Sequence, residues 1–260
     1  MLKWITFLTL GLVMGPAASA QTTLRVAAAA DLEPVLPGIL QGFQNSTGIH
    51  VDATYKASAM LTAQIQNGAP FDLFLSADMG YPKRLVSAGL AEPGSFTKYA
   101  TGTLVLWTRK DTHLPPPSIT FLSDPALKRL AIADPERAPY GRAAVATLKS
   151  VHLYDKLKPR IVTAENIAQA AQFVESGNAQ AGLISLTSAL TPRLASSGTY
   201  FLIPHPLYPP IEQGIVVLLR TKQQAAAHQL LNYLLSTTAQ AQFAKGGLAP
   251  ARPVSSAGGF

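Results

Sequence analysis

Short apolar runs alternate with amphipathic stretches along almost the whole chain, and this alternation restricts the fold more than any other feature. TLRVAAAA (23–30), GIHVDATYK (48–56), FDLFLSA (71–77), GTLVLWTR (102–109), RLAIADPE (129–136), PRIVTA (159–164), QAGLISL (180–186) and EQGIVVLLR (212–220) read as strands. Helical periodicity fills 32–46, 58–68, 78–89, 140–151, 165–177 and 223–247; Leu36, Ile39, Leu40 and Phe43 share one face of the first. Strand and helix in regular succession predict an α/β architecture with largely parallel sheets. A first set of units runs to about residue 102 and a second follows. The strands at 102–109 and 212–220, with a glycine at or near the start of each (Gly102, Gly214), stand where one set hands over to the other. This order predicts two lobes, residues 21–102 with 213–260 and residues 103–212, with a ligand cleft between them.

The first twenty residues, MLKWITFLTLGLVMGPAASA, carry a basic Lys3, an apolar run from Trp4 to Met14 and a small-x-small end, Ala18-Ser19-Ala20. That is the layout of a secretory signal peptide, leaving Gln21 as the expected first residue after cleavage. The apolar run is short for a bilayer span. The chain contains no cysteine, which excludes disulfides, thiolate metal sites, a cysteine nucleophile and lipid attachment through cysteine. A periplasmic protein without a lipid anchor is therefore expected.

The net charge of +7 is scattered, with LKPR at 157–160 the densest run, and it is not interleaved with aromatics as a nucleic-acid platform would be. His50, His113, His152, His205 and His228 form no i, i+4 pair, so no metal cation site is expected. No G-x-S-x-G elbow surrounds Ser58, Ser76 or Ser185, and no phosphate loop is present, which leaves an exported serine hydrolase as the weaker alternative to a binding protein. Asp78 and Asp134 read as a helix-opening and a turn residue.

The ordered motifs VAAAADLEPVL, YKASAMLTAQIQNGAPFDLFLSAD, LAIADPERAPYGRAAVATL and AENIAQAAQFVESGNAQAGLIS resemble the periplasmic molybdate-binding proteins of ABC importers, from Leu24 to near Gly247. The resemblance implies a type II periplasmic binding fold: two α/β lobes, two hinge strands, C-terminal helices returned to the first lobe, and molybdate or tungstate held between the lobes by neutral donors. It further implies an inner-membrane ABC permease as partner, a monomer, no enzymatic activity and no cofactor. Sulfate is the alternative oxyanion; lobe geometry decides, because molybdate and tungstate have longer metal–oxygen bonds.

Carried onto this chain, the ligand positions of the family fall on Ser58, on Tyr140 and on the backbone N–H of Ile167, each at a helix N-terminus, where anions are favoured. A later tyrosine position is occupied by Ser185, so Tyr140 is expected to reach across in its place. The first-loop hydroxyl position falls at Ala30 or Asp31, neither of which offers a neutral hydroxyl. Asp31 is expected to cap the helix 32–46 with its own carboxylate, leaving backbone N–H groups near Ala30 and Asp31 for the ligand.

Overall fold

Strand β1 (Thr23–Ala29) is buried from Val26 onward, as a central strand must be, and pairs in parallel on one side with β2 (His50–Lys56) and on the other with β3 (Leu73–Ser76). Helices α1 (Leu36–Thr47), α2 (Ser58–Gln66) and α3 (Gly80–Ser87) follow the three strands in turn, and β4 (Thr97–Gly102) closes this run. The chain then crosses over at Thr103 into β5 (Leu104–Arg109), β6 (Leu130–Ala133), α4 (Pro139–Ser150), the short α5 (Tyr154–Leu157), β7 (Ile161–Ala164), α6 (Ile167–Glu175), β8 (Ala181–Ser185), the short α7 (Leu186–Ala189) and α8 (Pro192–Ser197), and β9 (Gly198–Leu202). It returns through residues 203–210 to β10 (Ile211–Val217), α9 (Gln224–Leu234), α10 (Thr237–Lys245) and a two-residue strand β11 (Ala249–Pro250). The structure, a computed structural model, describes residues 22–112 and 114–251. The expected leader at 1–20 lies outside them.

The strands form two mixed sheets, ordered β11-β4-β10-β3-β1-β2 and β7-β6-β8-β5-β9, one to each lobe. The alternating pattern predicts largely parallel sheets. The structure corrects this, because β10 runs antiparallel to both β3 and β4, and β5 antiparallel to both β8 and β9. The strands that cross between the sheets enter each one against its parallel core. Strands β4 and β9 give no clear sequence signal either: half of TKYATG is polar, and β9 is an edge strand with Tyr200 and Leu202 exposed.

Helices cover both faces of the first sheet. Leu32, Leu36, Ile39 and Phe43 pack with Leu230, Leu234 and Phe243 of the returning helices on one face. Leu61, Ile65, Phe74 and Leu85 fill the other. The core of the second lobe centres on Trp107, Leu130, Leu148 and Leu183 and is continuous with Ala29, Ala30, Ala57 and Ala77 of the first, so the lobes meet across small side chains. Where they are joined, the Leu104 N–H at the outgoing crossover donates to the hydroxyl of Tyr208 on the return, at 3.2 Å.

Periodicity leaves one helix boundary open and misplaces another. The stretch 223–247, whose periodicity allows one helix or two, is two, broken where the Ser236 hydroxyl accepts from the Ala239 N–H and caps α10. Helix α1 begins at Leu36 rather than Leu32, after a separate 3₁₀ turn at Ala30–Leu32. Pro37 sets that start: it has no N–H, so it is tolerated in the first turn, whereas in a helix begun at 32 it would remove an interior hydrogen bond.

The parallel strands end nearly in step. Ala29 pairs with Lys56 and Ala28 with Leu75 in one sheet, and Ala133 with Ala164 in the other, so the helices that follow begin at one level, at the carboxyl ends of the strands. Gly141 makes this possible for α4, because a Cβ there would stand 2.3 Å from the Ala133 carbonyl oxygen and 2.8 Å from Asp134. We predict that Gly141→Ala lowers stability in urea denaturation by about 1–3 kcal/mol, as overpacked sites do; an unchanged midpoint and slope would contradict this close seating.

A cavity between the lobes ringed by helix N-termini

Ala29, Ala30, Asp31, Lys56, Ala57, Ser58 and Ala77 from the first lobe and Ala138, Pro139, Tyr140, Asn166 and Ile167 from the second line a small cavity of about 10 Å³. These residues fall almost entirely at the start of four elements: the turn at 30–32, α2, α4 and α6. The residues preceding the first three, Ala29, Ala57 and Ala138, offer no side chain to cap the free N–H groups that follow. Only α6 is capped, by the Asn166 side chain accepting from the Gln169 N–H at 3.0 Å. Of the helices that start elsewhere, α7, α8 and α10 are capped by Ser185, Thr191 and Ser236, while α1, α3, α5 and α9 have no side-chain cap from the preceding residue. Several helix N-termini, each the positive end of a dipole and three of them without a side-chain cap, converge on this one cavity.

Ser58 is buried and is the first residue of α2, not its cap. Its Oγ accepts from the Ala77 N–H at 3.1 Å, which leaves the hydroxyl proton free to donate. Tyr140, also buried, lies on the second lobe and reaches across to the first, where its hydroxyl donates to Asp31 Oδ2 at 3.0 Å. Gly102 leaves the room for this; a Cβ there would approach the Tyr140 hydroxyl to 2.2 Å. Ala30, Asp31, Ser58, Tyr140 and Ile167 are therefore brought together. Ser185 does not line the cavity: its Oγ caps α7 and bonds Ser188 and Thr187 at 2.9 Å.

Asp31 corrects the expected cap. Its side chain makes no capping bond to its own turn and has no solvent exposure. Oδ2 accepts from Tyr140 and from Gln213 Nε2 of β10, and the Gln213 Oε1 in turn accepts from the Tyr99 hydroxyl at 2.6 Å. The Asp31 main-chain carbonyl accepts from Thr187 Oγ1 at 2.7 Å. Oδ1 is buried without a partner among the described residues. The carboxylate faces a buried chain of donors because α1 starts later, with Pro37 in its first turn, and leaves it no free helix end to cap. Burial raises its pKa from 3.8 to about 6, against the opposing hydrogen bonds from Gln213 and Tyr140 and a lesser pull from its own backbone N–H, which lies too poorly aligned to count as a bond. Burial, reinforced by the nearby Asp31 charge, also pushes the hydroxyls of Tyr99 and Tyr140 well above the ordinary tyrosine value.

The sequence pattern does not single out Lys56, Asn166, Gln213, Tyr99 or Thr187. A buried glutamine inside the apolar run of β10 and an asparagine just before a helix are signals that point to two of them. Lys56, half-buried, is the one cation in the cavity wall among the described residues. Among them no cluster of three or more histidine, aspartate or glutamate side chains could hold a metal cation. Among them, too, Ser58, Ser76 and Ser185 have no histidine as hydrogen-bond partner, so none has the base a serine nucleophile needs. Asp78 accepts from the Tyr81 N–H at 2.9 Å to open α3, and also pairs across the lobes with Arg142.

A family model described as bacterial extracellular solute-binding protein matches residues 24–249. The chain is 37% identical to the molybdate-binding protein ModA of Rhodobacter capsulatus over 86% of this chain and 88% of that one. It is 36% identical to ModA of Azotobacter vinelandii over 89% and 91%. The structure superposes on the solved Azotobacter vinelandii periplasmic molybdate-binding protein with a TM-score of 0.83 at 32% identity, covering 88% of this chain and all of that one.

Because its pKa is raised on folding, Asp31 favours the folded state fully below about pH 4, and that contribution is lost as pH rises through 6. The loss is on the order of 3 kcal/mol, at about 1.4 kcal/mol per pH unit. We predict that the melting temperature of Asp31→Asn relative to wild type rises by several degrees between pH 5 and pH 8 in ligand-free protein; a constant difference across that range would contradict a buried, titrating Asp31.

Proposed function

Since the chain belongs to the bacterial extracellular solute-binding protein family, a family of binding proteins and not of enzymes, we propose that it captures molybdate outside the cytoplasm and hands it to an ABC-type permease in the inner membrane. The observation that carries this reading is the convergence of helix N-termini from both lobes, three of them without a side-chain cap, on one cavity. A tetrahedral dianion entering it would exchange its hydration shell for the hydroxyls of Ser58 and Tyr140 and for backbone N–H groups at Ala30, Asp31 and Ile167. Such charge-assisted bonds are about twice as strong as neutral ones, and the dipoles supply positive charge without a bulky counter-ion. Ser185 takes part only indirectly, by holding Thr187 against the Asp31 carbonyl. Tungstate, with the same shape and charge, fits the same donors.

The donors come from two lobes, so the full set exists only when the lobes are together. Ligand binding then shifts an open–closed equilibrium toward the closed form that the permease receives. The lobes touch through the Asp78–Arg142 ion pair and the bond from the Ala59 N–H to the Arg137 carbonyl at 3.2 Å, contacts that parting of the lobes would break.

Isothermal titration of ligand-stripped protein with molybdate, tungstate, sulfate and phosphate tests this. Heat and 1:1 binding are expected with the first two. Ser58→Ala, which removes one charge-assisted hydrogen bond of about 1.5–3 kcal/mol, is expected to weaken molybdate roughly 10- to 100-fold. No binding of molybdate or tungstate to folded protein would sink the reading.

A further inference from the structure

Asp31 poses a problem that the oxyanion reading does not solve. A carboxylate shielded from water stands in the wall of a cavity meant for a dianion, and like charges in a dry site repel strongly. Its surroundings do not neutralise it. Tyr140 on α4 and Gln213 on β10 donate to it as neutral groups, Tyr99 on β4 stands behind Gln213, and Thr187 on α7 bonds its main-chain carbonyl. Ser58 on α2 and Asn166 at the start of α6 are the neutral polar groups in the rest of the wall, with Lys56 at the end of β2 as its cation. Lys56 makes no ion pair or hydrogen bond to Asp31.

We propose, resting on the oxyanion reading, that Asp31 takes up one proton on Oδ1 when the anion is bound, so that capture is coupled to proton uptake and Asp31 serves as a neutral hydrogen-bond donor to the ligand. The geometry chooses the atom. Oδ2 already accepts two hydrogens, from Tyr140 and Gln213, while Oδ1 is buried and bare among the described residues. Protonation there removes the repulsion, keeps both existing bonds and converts an unpartnered acceptor into a donor. One proton comes from solvent and adds to Oδ1; no other bond is made or broken. Burial already brings Asp31 to about 6 before any anion arrives, so an adjacent dianion has only to raise it further. The consequence is a receptor whose affinity depends on the acidity of its compartment, at pH values where molybdate itself does not titrate.

Titration calorimetry of ligand-stripped protein with sodium molybdate from pH 6.5 to 8.5, in buffers of differing ionisation enthalpy, counts the protons. Wild type is expected to take up close to one proton per anion at pH 8, with affinity falling about tenfold per pH unit in the upper half of the range. Asp31→Asn, and Asp31→Ser as a second variant, are expected to take up none and to show a flat profile. Wild-type binding that persists with flat affinity and no proton uptake would overturn the proposal while leaving the molybdate reading intact. Phosphate bound more tightly than molybdate would also overturn it, since a protonated anion is what an ionised, accepting Asp31 selects. No binding of any oxyanion at any pH would overturn both.

Discussion

Three parts of the molecule are tied through one buried carboxylate. Asp31 sits on the turn that ends β1, accepts from Tyr140 across the lobe boundary and from Gln213 on the strand that returns to the first sheet, and offers its carbonyl to Thr187 of the second lobe. Each donor would be costly to leave unpaired when buried, so the network favours the arrangement in which the lobes are together. That arrangement is also the one in which the ends of α2, α4 and α6 face a single space.

Electrostatically the site is built from dipoles instead of cations. Alanines at 29, 57 and 138, where serine or aspartate would ordinarily cap, keep N–H groups available, and their small side chains let the lobes approach. The protein gives up some helix stability at each uncapped end. Fixed N–H donors in a dry enclosure need no reorganisation when an anion enters, and they recognise its shape as well as its charge. A single half-buried Lys56 adds charge at the wall without dominating it.

Much of this architecture is legible in the amino-acid sequence. The buried strands announce themselves as runs such as TLRVAAAA and FDLFLSA, and the amphipathic face of α1 is plain in Leu36, Ile39, Leu40 and Phe43. Ser58 and Tyr140 stand out only through motif resemblance, since each on its own reads as an ordinary helix-start residue. What local pattern hides is long-range. The partners of Asp31 lie 109, 156 and 182 residues away, at separations where local propensity carries no information, so a residue that looks locally like a cap proves to be a junction. The antiparallel strands are hidden for the same reason: strand direction depends on where the chain re-enters a sheet, and periodicity is blind to it.

The measurement that reaches the central claim most directly is a crystal structure of the protein grown with molybdate, with anomalous scattering recorded at the molybdenum edge. A single anomalous peak is expected in the cavity between the lobes, its oxygens within hydrogen-bond distance of Ser58 Oγ, the Tyr140 hydroxyl and the Ile167 N–H. A peak lying instead in the basic groove formed by Arg25, Arg220 and Lys222 on the first lobe, with the cavity empty, would contradict the account.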